Sequence, residues 1–216
     1  MKKMLDILVW PIAAAPLVYL AASWKDVPET VPLHFKFDGT PDRFGSRNEL
    51  IMATAILAAV AAGIYLLMKH IHKIDPKKYA AENKDRMQRM GFAIAIFMSV
   101  INVVIIYSAV AGGLKFDMRF VLAGLGALFC ILGNYMHTLK PNYFAGLRLP
   151  WTLNDEENWR RTHLLAGKLW FGGGLLLFIL CLLGNNTVAL VSFIAILLIL
   201  TILPIVYSYK LYRAMK

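Results

Sequence analysis

The sequence predicts an all-α membrane protein with six transmembrane helices, and three observations support this fold class. Of the 216 residues, 59% are hydrophobic and only 17% are charged, against about 25% charged residues in an ordinary soluble domain. The charged residues are bunched into short stretches between long apolar runs, which is not how a soluble protein builds its surface. The apolar runs also lack the alternating segments of about 10 residues that are typical of a membrane β-barrel.

The apolar runs have the length of membrane spans, because about 20 residues of helix cross a hydrocarbon core about 30 Å thick. Backbone polar groups in lipid must bond within their own segment, which makes these runs helices. The first run follows a basic start, as in a signal peptide, but it is too long for one, and we expect a retained helix. The six runs lie at about residues 5–24, 50–68, 90–114, 119–138, 164–183 and 188–207.

The Lys and Arg residues between these runs predict the orientation of the chain. With both termini in the cytoplasm, 16 of the 23 Lys and Arg residues fall in cytoplasmic segments and 6 fall outside, with Lys168 near the start of the fifth helix. Positive charge is retained on the cytoplasmic side of a membrane, so this split predicts N-in and C-in. The net charge of +10 then reflects topology and attraction to anionic headgroups. The basic loops carry no nucleic-acid-binding motif, and we expect no direct nucleic-acid partner.

The first extracytoplasmic loop, residues 25–49, has the pattern of a small β-hairpin. Apolar and other residues alternate from Val31 to Phe37, as in a half-buried strand, and Asp38-Gly39 supplies a tight turn. We expect a hairpin-like cap on the outer membrane surface. His34, Asp38 and Asp42 match no standard metal-ligand spacing, so we expect no metal there.

The most informative stretch is residues 133–163, on the cytoplasmic side. Pro141, Gly146 and Pro150 predict a non-helical path of about ten residues. Thr152 with Asp155 resembles a capping box, which predicts a helix that runs from there into the fifth span.

Charge pairing should support the start of that helix. Glu156 with Arg160, and Glu157 with Arg161, are i,i+4 pairs in the favourable order.

The residue types in this segment fit either a binding surface or a structural loop between helices. They include no nucleophile beside a base, no H-E-x-x-H motif and no phosphate-cradling glycine loop. The predicted spans carry no Asp, Glu or Arg at mid-helix, which disfavours an ion pathway. Asn102 is the strongly polar mid-helix residue, and we expect it to bond between helices. We therefore expect no enzyme activity and no cofactor.

The loops divide the chain into three predicted parts. Residues 1–68 form an N-terminal helix pair with the structured loop, residues 69–89 form a basic cytoplasmic loop, and residues 90–216 form a four-helix region. That last region contains the cytoplasmic segment 139–163.

Two stretches resemble the SdpI family of bacterial membrane proteins. Val27–Phe35 followed by Asp38–Phe44 is similar to the short N-terminal domain of unknown function that accompanies many family members. Gly133-Asn134 followed by Lys140–Leu153, with Trp159 and His163 beyond, is similar to a specific family signature. With the six-span hydropathy, the resemblance covers essentially the whole chain.

The resemblance implies a multi-pass protein of the bacterial cytoplasmic membrane that acts in immunity and signal reception. A member of the family protects its cell from a secreted killing peptide and holds a cytoplasmic transcriptional repressor at the membrane. By analogy, the peptide-facing residues would be Pro32, His34, Phe35, Asp38, Gly39 and Asp42. The partner-binding residues on the cytoplasmic side would be Asn134, Lys140, Asn142, Arg148, Trp151, Trp159 and His163.

Two other functions remain open from the sequence. One is an intramembrane enzyme or small-molecule transporter that uses the cluster Asn134, Asn142, Arg148 and His163, which requires these side chains to share a cavity. The other is a structural subunit of a larger membrane complex. Fold resemblance does not by itself decide among them.

Overall fold

A computed structural model describes residues 2–36, 40–113 and 117–215, and within these residues it confirms the predicted fold class. Six helices are long and apolar enough to cross a membrane. These are α1 (Lys2–Ala22), α2 (Arg47–His70), α3 (Ala80–Val110), α4 (Met118–Met136), α6 (Glu156–Leu183) and α7 (Asn186–Ala214). A short helix, α5 (Pro150–Asn154), precedes α6, and two strands, β1 (Thr30–Phe35) and β2 (Pro41–Ser46), follow α1.

Several helices extend beyond the predicted apolar runs. α3 begins ten residues before the predicted start, and α7 continues to Ala214. At 31 residues α3 is about 46 Å long, so its polar first turns extend past a hydrocarbon core of about 30 Å. Hydropathy locates the buried length of a helix, whereas hydrogen bonding and caps decide where the helix ends.

The two strands form the predicted hairpin. They pair antiparallel, with Thr30 opposite Ser46 and Val31 opposite Gly45. Val31 is fully buried, and a side chain at Gly45 would collide with the Leu33 side chain. The predicted turn residues Asp38 and Gly39 lie outside the described residues.

The chain divides into two compact units. The first comprises the residues up to Leu66 together with Gly91–Val121, and the second comprises Leu67–Met90 together with Leu122–Lys216. α3 therefore contributes residues to both units. The sequence-based boundaries at 68/69 and 89/90 remain a prediction.

The first unit has two apolar clusters. Val31 and Leu50 pack with Ile106 in one of them, and Val9 packs with Tyr65 in the other. The Asn102 Nδ2 atom donates to the Thr54 carbonyl at 3.0 Å. This bond joins α3 to α2 and confirms the predicted helix-to-helix role of Asn102.

The second unit depends on a close approach of α4 and α6. A Cβ atom at Gly174 would lie 2.6 Å from the Gly126 carbonyl oxygen, and one at Gly126 would lie 2.8 Å from the Gly174 carbonyl oxygen. Only a residue without a side chain allows this separation, as at other small-residue interfaces between membrane helices. The segment between α4 and α6 lies in this unit.

Candidate functional site

The segment between α4 and α5 follows a non-helical path, as predicted, and its own side chains satisfy the backbone. Asn142 is fully buried. Its Oδ1 atom accepts from the backbone N–H groups of Phe144, at 2.9 Å, and Ala145, at 2.7 Å. Its Nδ2 atom donates to the Lys140 carbonyl at 3.0 Å. Buried backbone groups need such partners, so Asn142 acts as the internal brace of this turn.

Trp159 and His163, one turn apart on α6, hold the same segment from the other side. The Trp159 Nε1 atom donates to the Leu139 carbonyl at 2.8 Å. The His163 Nε2 atom accepts from the Leu147 N–H at 3.0 Å, and its Nδ1 atom donates to the Trp159 carbonyl at 2.9 Å. The two rings stack with centroids 3.9 Å apart. These partners assign a neutral imidazole with its proton on Nδ1.

Gly146 makes this arrangement possible. Its φ angle is +96°, a conformation that L side chains rarely adopt. A Cβ atom there would also overlap the His163 Nε2 atom. Gly146, one of the residues that predicted the non-helical path, thus allows the His163 ring to lie against the backbone of the segment.

The start of α6 differs from the predicted capping box. Thr152 lies inside α5, where its hydroxyl accepts from the Leu149 N–H at 2.9 Å and donates to the Leu147 carbonyl at 2.7 Å. Asp155 is the N-cap of α6 and accepts from the Asn158 N–H at 2.6 Å. Two helices therefore meet at Asp155, because its extended backbone interrupts the helical path.

Contacts to α7 anchor α5 and the first turn of α6. The Trp151 Nε1 atom donates to the Ser208 hydroxyl at 3.0 Å, and the Asn158 Nδ2 atom donates to the Ser208 carbonyl at 3.0 Å. Tyr209 and Tyr212 pack around the Trp151 ring, with centroids 5.4 and 5.9 Å away. Trp151 is therefore half-buried, and its indole N–H is already bonded to Ser208.

The ion pairs at the start of α6 also differ from the prediction. Glu157 bonds both Arg160, at 2.7 Å, and Arg161, at 2.6 Å. Glu156 instead pairs with Lys78, at 2.7 Å, and accepts from the Tyr79 hydroxyl. The predicted Glu156–Arg160 pair was wrong, because a residue distant in the sequence reaches Glu156. The hydrogen bond that Lys78 donates to this carboxylate raises the pKa of Lys78.

The predicted partner-binding residues separate into two groups. Asn142, Trp159 and His163 are buried and bonded to the backbone of the segment. Asn134, Lys140 and Arg148 are exposed, and Trp151 lies between these extremes. The Arg148 guanidinium donates to the Tyr143 carbonyl at 2.7 Å. Their role in partner binding remains a prediction.

The four side chains that an enzyme or transporter would need together do not share a cavity. Asn142 and His163 are buried with their polar atoms engaged, whereas Asn134 and Arg148 lie on the surface. Among the described residues, no group of three or more His, Cys, Asp or Glu side chains is arranged to hold a metal ion.

The predicted peptide-facing residues lie on the hairpin. Pro32 is buried and Phe35 is half-buried, whereas His34 and Asp42 are exposed. The His34 Nδ1 atom and the Asp42 Oδ1 atom are 2.6 Å apart across the two strands. Asp38 and Gly39 belong to the same predicted set but fall outside the described residues. Their contact with a peptide also remains a prediction.

Sequence reasoning missed two residues that shape the segment between α4 and α6. Asn83, on α3, accepts from the Lys140 N–H and donates to the Lys140 carbonyl. Lys77 donates through Nζ to the Leu153 carbonyl at 2.7 Å. Both lie in the basic stretch 69–89, which suggested a charged loop or a short surface helix. Asn83 is 1% exposed, but an asparagine among charged residues carries no sequence signal of burial.

Comparisons with known proteins agree with this architecture. Residues 138–208 match the model of the SdpI/YfhL protein family, and residues 12–62 match a domain of unknown function, DUF1648. The chain is 24% identical over 196 residues to the immunity protein SdpI of Bacillus subtilis (strain 168), which covers 89% of this chain and 88% of that protein. It is 42% identical over 52 residues to an uncharacterized protein of Archaeoglobus fulgidus, or 24% of this chain and 28% of that protein.

No solved structure matches the chain. The two family matches overlap the two stretches that the sequence singled out, and six helices in the described residues are able to span a membrane. The chain is therefore a multi-pass membrane protein with a region that matches the SdpI/YfhL family model, preceded by a region that matches DUF1648.

Proposed function

We propose that this protein is a membrane immunity protein that gives its cell resistance to a secreted antimicrobial peptide. The observation that carries the proposal is the similarity, over nearly the full length of both chains, to a protein named as an immunity protein. The match covers 89% of this chain, so it includes most of the family region and most of the N-terminal domain.

We place both termini in the cytoplasm. The excess of Lys and Arg on one set of loops supports this orientation, and six spans put both termini on the same side. A cysteine-free variant with Asp42→Cys should react with a membrane-impermeant maleimide on intact cells. The same background with Lys84→Cys should react only after permeabilisation. The reverse pattern would overturn the orientation.

In this orientation the hairpin β1–β2 faces the peptide. Its exposed His34 and Asp42 side chains form a polar pair, and Phe44 beside them is 58% exposed. An exposed aromatic side chain next to hydrogen-bonding groups is a common feature of peptide-binding surfaces.

The cytoplasmic segment is the proposed site for a small transcriptional repressor. Asn142, Trp159 and His163 fix the backbone, and Lys140 and Arg148 project from it with their charges exposed. A surface held by buried hydrogen bonds loses little conformational entropy when a partner binds, which favours recognition.

A role without catalysis fits the chemistry of this segment. Both nitrogens of His163 bond to the backbone, so neither accepts a proton from a substrate unless the loop opens. The surface positions of Asn134 and Arg148 give the enzyme or transporter alternative no support.

The direct test measures the survival of cells that express the protein. The gene is expressed in a Bacillus subtilis strain that lacks its own SdpI, and the cells are exposed to the killing peptide. Survival above that of cells with the empty vector, at matched membrane levels, is expected. Equal killing of the two strains would remove the immunity function.

A further inference from the structure

The second unit contains a cleft of about 610 Å³ between the first turns of α3 and α6 and the chain that follows α4. Its lining includes the apolar side chains of Leu139, Trp159 and Leu164, together with charged side chains that form its rim. Leu164 is 40% exposed and lies on the span α6. The cleft therefore joins a charged rim to a side chain on the apolar surface of a membrane helix.

The charge of the rim favours an anion. Arg86, Lys140 and Arg160 line the cleft together with Glu156 and Glu157. Both carboxylates are already paired, Glu156 with Lys78 and Glu157 with Arg160 and Arg161. The lining thus carries three cations and two carboxylates, and Lys78 and Arg161, which pair with these carboxylates from outside the lining, add two positive charges nearby.

Arg86 and Lys140 form no salt bridge among the described residues, although Lys140 lies near enough to Glu156 to favour its charged form. The Lys140 ammonium lies 5.7 Å from the centroid of the Tyr79 ring, and the Arg86 guanidinium donates to the backbone carbonyl of Glu82 at 2.7 Å. Each keeps donors for a ligand, since Lys has three N–H groups and Arg has five. Asn83 fixes the Lys140 backbone, so the position of this charge is set by the fold.

The neighbouring cleft gives an internal comparison. It has a volume of about 500 Å³ and shares Arg86 and His137 with the first cleft. Its other charged residues are Glu82, Asp85 and Arg89, so its carboxylates balance its guanidinium groups. Of these two clefts, only the one beside Lys140 has an excess of positive charge.

We propose that the cleft lined by Arg86, Lys140 and Trp159 binds the phosphate headgroup of an anionic membrane phospholipid, with an acyl chain lying along Leu164. Guanidinium and ammonium groups are the usual ligands of phosphate. Basic pockets between membrane helices at the interface bind such headgroups. A soluble phosphate compound shares the headgroup chemistry but has no use for the apolar side chain at the mouth of the cleft.

The test uses the full-length protein, purified in a neutral detergent, with no peptide or repressor present, so its result is independent of the proposed immunity function. Bound lipid is measured by native mass spectrometry after addition of phosphatidylglycerol, phosphatidylcholine or glycerol 3-phosphate. The double variant Arg86→Gln/Lys140→Gln is compared with Lys73→Gln/Lys84→Gln. The second variant removes the same charge from exposed positions that do not line the cleft.

The wild type and the control variant should retain phosphatidylglycerol over phosphatidylcholine by roughly tenfold or more, as expected for two cations near a phosphate. The Arg86→Gln/Lys140→Gln variant should lose most of this preference while keeping its helical circular dichroism. If that variant does not fold, the single change Lys140→Gln is used and should lower the preference by a smaller factor. Equal retention in folded wild type and variant would overturn the proposal, as would glycerol 3-phosphate binding as tightly as phosphatidylglycerol.

Discussion

Asn83 holds the backbone N–H and C=O groups of Lys140 through both ends of its side-chain amide. The Asn83 Oδ1 atom accepts from the Lys140 N–H at 2.9 Å, and its Nδ2 atom donates to the Lys140 carbonyl at 3.0 Å. The same carbonyl accepts from Asn142 Nδ2. Two asparagines from different parts of the chain thus replace the backbone partner that a helix or strand would have supplied at this position.

The first prediction concerns this clamp. Asn83→Ala should lower the free energy of unfolding by about 1–3 kcal/mol, because it removes two hydrogen bonds to the Lys140 backbone and leaves the Lys140 N–H without its acceptor, while the carbonyl keeps the bond from Asn142. Asn83→Asp should also destabilise, since it keeps the acceptor but loses the donor and buries a charge. Thermal unfolding of the purified protein in detergent measures both changes.

The matched control for the clamp is Asn186→Ala, at an exposed position in the first turn of α7. It should leave the free energy of unfolding within the range of ordinary surface substitutions, about 0.5 kcal/mol. A loss for Asn83→Ala no larger than for Asn186→Ala would show that the clamp does not stabilise the segment.

Hydropathy was sufficient to find the six long helices, though not their ends, because the bilayer demands both the length and the hydrogen bonding of a span. The bond from Asn102 to another helix was predictable for the same reason, because a strongly polar side chain within a span needs a hydrogen-bond partner. The bonds of Asn83 were not predictable, because its partner lies 57 residues away in the sequence and several of its sequence neighbours are charged. The Glu156–Arg160 pair was wrong on similar grounds, since Lys78 reaches Glu156 only in the folded chain.

The second prediction concerns Gly146. Gly146→Ala should destabilise the protein by more than the roughly 1–2 kcal/mol cost of a positive φ angle alone, because the new methyl group also displaces His163 from the Leu147 N–H. Gly112→Ala is the control, because Gly112 has a φ angle of +71° and a methyl group there would meet nothing within 4 Å. Thermal unfolding in detergent measures both variants. Equal losses in the two would argue against a tight fit between Gly146 and the imidazole.

The third prediction concerns the approach of α4 and α6. Gly174→Ala should destabilise the protein by about 1–3 kcal/mol, because its methyl group would lie 2.6 Å from the Gly126 carbonyl oxygen and force the helices apart. Gly172→Ala, on the same helix with open space around it, should be neutral or stabilising by up to about 1 kcal/mol. Denaturation by SDS in mixed micelles measures both. A reversed order of stability would contradict the packing described here.

Peptide protection is assigned to the hairpin and partner binding to the cytoplasmic segment, and one survival assay tests this division most directly. His34→Ala/Asp42→Ala removes the exposed pair on the hairpin, and Arg148→Ala removes an exposed charge from the cytoplasmic segment. Both variants are expressed at membrane levels equal to the wild type, in cells exposed to the killing peptide. The hairpin variant should survive no better than the empty vector, whereas Arg148→Ala should survive like the wild type. Full protection by the hairpin variant, or loss of protection in Arg148→Ala alone, would contradict this division of roles.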